Sequence, residues 1–141
     1  MRNGEFSLPL RVYIEDTDAG GIVYYVNYLK YMERARTEFM RSLGFDRSTI
    51  FSAERLFVVR DIALVYRAPA RLDDELAATV GVTGVRGASL ALHQTVRHGD
   101  DLLVSGSVTI ACVSRKDLRP RRMPGDMLAT LRARASLAPT A

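Results

Sequence analysis

Cysteine, histidine and lysine are scarce in this chain of 141 residues, and long apolar runs are absent. The one cysteine, Cys112, cannot form an intramolecular disulfide, and the two histidines are not spaced with it as metal ligands are. No stretch approaches the ~18 consecutive apolar residues of a membrane-spanning helix. The N-terminal residues Met1–Glu5 are not followed by the apolar core of a secretory signal. These absences predict a cytoplasmic protein with no transmembrane segment, disulfide framework or metal site.

Linkers, internal repeats and low-complexity stretches are also lacking. A length of 141 residues suits one domain, and 48% hydrophobic with 26% charged residues is ordinary for a soluble globular protein. We therefore predict a single domain over residues 1–141.

Positive charge is in excess, with a net charge of +4 and a pI near 9.6, which favours an anionic partner. Only Lys30 and Lys116 are lysines among the 20 basic residues. Five basic residues fall within eight positions, Arg115, Lys116, Arg119, Arg121 and Arg122. This basic segment is either a solvated turn or a site for a phosphorylated ligand. No aromatic residue is interleaved with it, so nucleic-acid binding is not predicted.

The spacing of the apolar residues changes along the chain. It alternates as in a strand at first, follows a helical period in the middle, and alternates again afterwards. A helical period predicts a long helix from Asn27 to Leu43, capped by Gly44. The apolar stripe of this helix comprises Tyr28, Leu29, Met32, Ala35, Phe39 and Leu43. Alternation predicts strands over Leu8–Glu15, Leu56–Tyr66, Leu76–Val82, Leu90–Val96 and Leu102–Cys112.

Between these elements lie short connections and two lesser segments. Asp46–Arg55 is predicted to be briefly helical or irregular, and Pro124 opens a terminal amphipathic helix that runs to about Ala135. The gaps after the helix are too short for parallel crossovers, so the last four strands are predicted to form an antiparallel meander. A five-stranded antiparallel sheet wrapped around one long helix is the hot-dog fold, of the α+β class. Its open sheet edges predict a homodimer or homotetramer.

The stretch Asp16–Gly21 sets two carboxylates and two glycines just ahead of the long helix. Backbone N–H groups at a helix N-terminus can stabilise the oxyanion that forms when a thioester carbonyl is attacked. A nearby carboxylate can act as general base on water or attack the carbonyl itself. The alternative is that Asp16 and Asp18 only turn the chain and cap the helix.

A wider set of residues resembles a known family. The pattern comprises Tyr13, Asp16, Thr17, Asp18, Gly21, Val23, Tyr24, Tyr28 and Leu29, followed by Glu33–Glu38, Phe57–Arg60, Tyr66–Asp74, Arg86–Leu90 and Pro120–Pro124. It resembles the 4-hydroxybenzoyl-CoA thioesterase family, and within it the Tol–Pal-associated (YbgC-type) acyl-CoA thioesterases. The resemblance covers about residues 8–125. It implies a hot-dog thioesterase that hydrolyses acyl-CoA to a carboxylic acid and CoA.

The resemblance also implies roles for particular residues. Asp18 corresponds to the catalytic carboxylate, and the backbone N–H of Tyr25 corresponds to the group that polarises the thioester carbonyl. The YbgC-type branch typically carries His where Tyr25 stands, whereas the benzoyl-CoA branch also accepts Tyr. The implied substrate-binding residues are Gly21, Tyr24, Tyr28, Val59, Arg60 and Ser89, and the implied CoA-binding residues are Lys116, Arg119, Arg121 and Arg122. No cofactor is implied, and the acyl carrier is CoA or possibly an acyl carrier protein.

The sequence also offers other candidate residues and one alternative function. Glu33 faces away from the helix stripe and is predicted to make a salt bridge or an interface contact, while Cys112 is predicted to be buried. A hot-dog dehydratase needs a histidine in the active loop. His93 and His98 both lie outside this loop. The alternative function is a module that binds acyl-CoA or acyl carrier protein within a membrane-associated complex without significant hydrolysis.

Overall fold

A computed structural model of the chain describes residues 5–46, 48 and 52–137. Its elements are β1 (Glu5–Arg11), a 3-10 turn (Ile14–Asp16), α1 (Asn27–Ser42), β2 (Arg55–Tyr66), β3 (Glu75–Arg86), β4 (Ser89–His98), β5 (Asp101–Ser114) and α2 (Gly125–Leu137). The predicted stretch Asp46–Arg55 includes residues 47 and 49–51, which lie outside the described residues. Among the described helices, neither is long and apolar enough to cross a bilayer.

Helix α1 is confirmed to within one residue of its predicted end. Tyr28, Met32, Ala35 and Phe39 are buried, as the apolar stripe predicted. Tyr31 is also buried, at 1% exposure, because it lies three positions after Tyr28 on the same face. The helix terminates at Gly44, whose φ of +91° is the left-handed conformation that glycine adopts without a steric penalty.

The sheet is antiparallel with strand order β1-β3-β4-β5-β2, and it forms the hot-dog arrangement around α1. The predicted four-strand meander is wrong, because β2 pairs with β5 and only β3, β4 and β5 form a meander. The chain does not turn back directly after β2, because Ala70 and Arg71 pair with the loop at Ile22 and Val23. Strand β1 then occupies the remaining edge of β3, and β2 lies at the opposite edge of the sheet.

The first strand ends at Arg11, four residues before its predicted end. Beyond it the amide of Tyr13 donates to the carboxylate of Asp16 at 2.9 Å, so a local side-chain bond replaces strand pairing. Ile14 was predicted to share the inward face with Val12, but it is 75% exposed on the 3-10 turn. The prediction failed because alternation continued in the sequence after the backbone had left the sheet.

The core lies between the sheet and the two helices. Helix α1 contacts β1, β3 and β4, and α2 contacts β3. Helix α2 starts one residue after its predicted start and packs Met127, Leu128 and Leu131 into the core. Cys112 is buried in the same core, as predicted, and burial raises the pKa of its thiol. Strand β2 contributes least to this core, since most of its residues are exposed.

Candidate active site

The loop between β1 and α1 folds into a small hairpin. Thr17 and Val23 form an antiparallel bridge, and the Asp18 amide donates to the Ile22 carbonyl at 3.0 Å. The hairpin is fixed to the segment before β3, because the Val23 amide donates to the Ala70 carbonyl at 2.9 Å. This places the loop at the end of the sheet where β1 and β2 finish and β3 begins.

Gly21 makes the hairpin turn with a φ of +76°. No atom lies within 4 Å of the position that a Cβ would take at this residue. The requirement for glycine therefore comes from the left-handed backbone rather than from close packing. Gly21 supports the loop by its conformation, and its predicted contact with substrate remains a prediction.

Asp18 lies at the exposed tip of the hairpin. Its Oδ1 accepts a hydrogen bond of 2.9 Å from the Gly20 amide, and its carbonyl accepts one of 3.1 Å from the Gly21 amide. Through these bonds Asp18 stabilises the turn, which is the structural role that the sequence offered as the alternative to catalysis. They hold the carboxylate in one orientation and leave its Oδ2 directed to no donor among the described residues.

The start of α1 offers unpaired backbone donors. Val26 is the N-cap, and no side chain caps it. The amides of Tyr25 and Val26 donate to no acceptor in the described part of the chain, although the Asn27 and Tyr28 amides bond to the Tyr24 and Tyr25 carbonyls. Such open N–H groups at a helix N-terminus suit an oxygen atom that carries negative charge.

Four tyrosines cluster beside these donors. The Tyr25 ring lies 5.1 Å from that of Tyr24 and 6.0 Å from that of Tyr66, measured between centroids, and Tyr28 lies 5.7 Å from Tyr66. The Tyr66 hydroxyl donates to the Tyr25 carbonyl at 3.4 Å. Burial raises the pKa of both Tyr28 and Tyr66. On the sequence, Tyr66 is part of the family pattern but is not among the implied site residues.

Asp16 and Asn27 connect the loop to the helix. The Asp16 carbonyl accepts two hydrogen bonds, from the Tyr24 amide at 2.9 Å and from Asn27 Nδ2 at 2.8 Å. Asn27 is 8% exposed, and its role was not predicted from the sequence. Its only signal was a polar residue at the first position of an otherwise apolar helix face.

Tyr31 places a buried hydroxyl near this junction. The hydroxyl makes no hydrogen bond of good geometry in the described chain, although it interacts with the Asp16 carboxylate. Burial raises the pKa of Tyr31, and the neighbouring carboxylate of Asp16 raises it further. By contrast, the Tyr28 hydroxyl accepts a bond of 2.9 Å from the Ala70 amide.

The other predicted site residues lie at the opposite end of the sheet within this chain. Val59 and Arg60 lie in the first half of β2, where a register shift against β5 makes Arg60 the extra residue of a β-bulge. Ser89 begins β4, and the basic segment follows β5. Because β4 has ten residues, the two ends of the sheet are about 30 Å apart. Single-chain geometry therefore joins Asp18, Gly21, Tyr24, Tyr25 and Tyr28, but not the remaining residues.

The basic segment is an exposed turn with several internal bonds. The Ser114 amide donates to the Arg119 carbonyl at 2.8 Å, and Arg121 forms an ion pair of 3.0 Å with Glu54. Arg119 and Lys116 are exposed and form no ion pair among the described residues. These two side chains are thus available to an anion, whereas Arg121 is partly neutralised.

A hollow of about 190 Å³ lies between α1, α2 and the inner faces of β2, β4 and β5. Its walls include Phe39, Phe57, Val59, Leu92 and Leu131, and Glu33, Arg36 and Thr37 form a polar rim. Arg36 donates to the buried Gln94 Oε1 at 3.0 Å, and burial lowers the pKa of its guanidinium. The hollow has the apolar character of an acyl-binding site, but it lies away from Asp18 of the same chain.

The loop and the start of α1 therefore offer a carboxylate and open backbone N–H groups, two kinds of group that can act on a carbonyl. Among the described residues no three His, Cys, Asp or Glu side chains are grouped as metal ligands would be.

Known proteins resemble this chain over most of its length. The profile of the "Thioesterase-like superfamily" matches residues 12–131. The "Acyl-CoA thioesterase YbgC" of Haemophilus influenzae is 40% identical over 130 residues, which cover 92% of this chain and 96% of that protein. The "Acyl-CoA thioester hydrolase YbgC" of Escherichia coli O6:H1 is 39% identical over 130 residues and 97% of its own length. The crystal structure of a probable thioesterase from Bartonella henselae is 34% identical, with a TM-score of 0.80, over 85% of this chain and 99% of that one. The chain therefore belongs to the thioesterase-like superfamily.

Proposed function

We propose that this protein hydrolyses the thioester of acyl-CoA to a carboxylic acid and CoA, with Asp18 as its catalytic carboxylate. The observation that carries the proposal is that one segment holds both an oriented, exposed Asp18 carboxylate and the open amide of Tyr25. The likeness over 92% of the chain to relatives named acyl-CoA thioesterases supports the choice of reaction.

The Tyr25 N–H, two residues before the start of α1, would stabilise the oxyanion of the tetrahedral intermediate, and it donates to no described residue. Asp18 then acts in one of two ways. As general base it takes a proton from the attacking water, and as nucleophile it forms an anhydride that water later hydrolyses. In both routes the C–S bond breaks, and the CoA thiolate leaves and takes up a proton. The role of Tyr25 uses its backbone, so it does not depend on the imidazole that the YbgC-type branch carries there.

We propose further that the working enzyme is a homodimer or a homotetramer. Strand β2 is a sheet edge, and Val58, Val59, Ile62 and Val65 on it are 37–52% exposed. Unpaired edges that carry apolar side chains usually pair with another chain. If two β2 strands pair antiparallel about a two-fold axis, the start of each lies beside the end of the other. That pairing would bring the basic segment, Val59 and Arg60 of one subunit towards the Asp18 loop of the other.

In this arrangement Lys116, Arg119, Arg121 and Arg122 would bind the phosphates of CoA, and Val59, Arg60 and Ser89 would contact the rest of the substrate. Gly21, Tyr24 and Tyr28 would line the reacting end from the first subunit. CoA is the proposed carrier, with an acyl carrier protein as the alternative thioester. A cytoplasmic location stays a prediction that cell fractionation would test.

The test is Asp18→Asn. Asn keeps the size of Asp and can still accept the Gly20 hydrogen bond, so the turn should form. The amide is neither a base nor a useful nucleophile, so kcat for acyl-CoA should fall by about 10²–10⁴. Circular dichroism, gel filtration and acyl-CoA binding should stay as in the wild type.

Near-normal hydrolysis by a well-folded Asp18→Asn protein would overturn the assignment of Asp18. If the wild type also released CoA thiol no faster than buffer, over short, long and aromatic acyl-CoAs, the chain would instead be a binding module for acyl-CoA or acyl carrier protein.

A further inference from the structure

The hairpin that carries Asp18 is connected to the first turn of α1, just after Tyr25, by a buried side chain. Asn27 Nδ2 donates to the Asp16 carbonyl at 2.8 Å, and the Asn27 amide bonds to the Tyr24 carbonyl at 2.8 Å. Asp16 is two residues before Asp18, and Asn27 is two residues after Tyr25. The geometry points to Asn27 as a positioning residue that sets the Asp18 carboxylate against the Tyr25 N–H.

The Asp16 carbonyl is the shared acceptor in this junction. It receives the Tyr24 amide at 2.9 Å as well as the Asn27 side chain. Other bonds hold the hairpin to the segment before β3, through the Val23 amide, and to the residue ahead of the helix, through the Tyr24 amide. The Asn27 bond adds a direct connection from the Asp16 carbonyl to the first turn of α1.

Burial makes this bond unusually dependent on Asn27. The residue is 8% exposed, so water has little access to replace the missing donor. The Asp16 carboxylate cannot take over, because an ionised carboxylate has no hydrogen to donate to the carbonyl. Loss of the Asn27 amide would therefore let the hairpin shift relative to α1 rather than be repaired locally.

The inference rests on the proposed function, because position matters only if Asp18 and Tyr25 act on the same carbonyl. A misplacement of about 1 Å between reacting groups can cost about a hundredfold in rate. Since the Tyr24 bond remains, we expect Asn27→Leu to lower kcat by about tenfold to a hundredfold. KM should change by less than about twofold, because substrate binding groups are untouched.

The experiment is a double-mutant cycle in the full-length protein. Wild type, Asn27→Leu, Asp18→Asn and the double variant are assayed with one acyl-CoA under saturating and subsaturating conditions. If Asn27 acts by positioning Asp18, its substitution should not further reduce the residual rate of the Asp18→Asn protein. If Asn27 only stabilises the fold, the same factor should appear in both backgrounds, and the inference would be wrong.

Two further variants separate position from stability. Thr95→Val removes a buried hydroxyl that pairs with Thr79 between β3 and β4, so it should lower Tm without changing kcat. Asn27→Ser keeps a shorter donor at the same place and should recover part of kcat. It also replaces Asn27→Leu in the cycle if that variant does not fold.

The outcomes distinguish this inference from the proposed function. Wild-type kcat in a folded Asn27→Leu protein, alongside an inactive Asp18→Asn protein, would overturn the inference alone. Absence of thioester hydrolysis in the wild type would overturn the proposed function, and this inference with it.

Discussion

Two neighbouring tyrosines on α1 have opposite surroundings at the residue scale. The Tyr28 hydroxyl accepts the buried Ala70 amide at 2.9 Å, whereas the Tyr31 hydroxyl is buried and makes no hydrogen bond of good geometry in the described chain. Their rings lie 6.0 Å apart, so both substitutions to Phe are made in the same part of the core. A buried hydroxyl stabilises the fold only when it satisfies another polar group.

We therefore expect Tyr28→Phe to lower the free energy of unfolding by about 1–3 kcal/mol, because it leaves the Ala70 amide without an acceptor. Tyr31→Phe should change it by less than about 0.5 kcal/mol or raise it, because no hydrogen bond of good geometry is lost. Denaturant titration of the two variants at the same pH measures both values. A larger loss for Tyr31→Phe would contradict the assignment and imply that its hydroxyl bonds to the Asp16 carboxylate.

At the scale of the element, the basic turn after β5 can be tested for CoA binding, because some of its charged side chains form ion pairs and others do not. Arg121 is paired with Glu54, so its reversal would disturb the fold as well as any ligand. Lys116 and Arg119 are exposed and make no ion pair with a described residue, which makes them the sharper probes.

Reversing Lys116 and Arg119 to Glu should raise KM for acyl-CoA by about tenfold, since each exposed charge contact is worth up to about 1 kcal/mol. Hydrolysis of a phosphate-free thioester should keep its kcat/KM, because only the nucleotide end of CoA carries phosphate. Arg132→Glu, an exposed charge reversal on α2, serves as the control. Equal loss on both thioesters would mean that the segment supports the fold rather than the ligand.

At the scale of the whole molecule, we expect the exposed edge strand β2 to determine the oligomeric state. Ile62 and Val65 on β2 are 39% and 52% exposed, which is costly for apolar side chains unless another surface covers them. Light scattering should therefore give a dimer or a tetramer for the wild type.

Ile62→Lys with Val65→Lys should shift the protein to a monomer and lower activity, because the site would lose the residues that the partner contributes. Ala129→Lys, a single added charge on the exposed side of α2, should change neither property. A monomeric wild type with full activity would refute both the assembly and a site shared between subunits.

How much could be predicted from sequence depended on the range of the interaction. The period of α1, the left-handed Gly44 and the alternation in β3 and β4 are local or short-range signals, and each was predicted correctly. The end of β1 was not, because the side chain of Asp16 competed with the sheet for the Tyr13 amide. The partner of β2 was not predicted either, because alternation along a strand carries no information on which strand lies beside it.

The sequence by itself determined the fold class, the superfamily and the loop in which Asp18 and Gly21 lie, because motif spacing and periodicity are properties of the chain. Only the tertiary structure decided that β2 is an edge, that Asn27 joins the loop to the helix, and that the basic segment lies about 30 Å from Asp18 in one chain. These depend on contacts between residues distant in sequence, such as the β2–β5 pairing and the Ala70–Val23 bond. Such contacts form only when the whole core closes, so no local pattern could encode them.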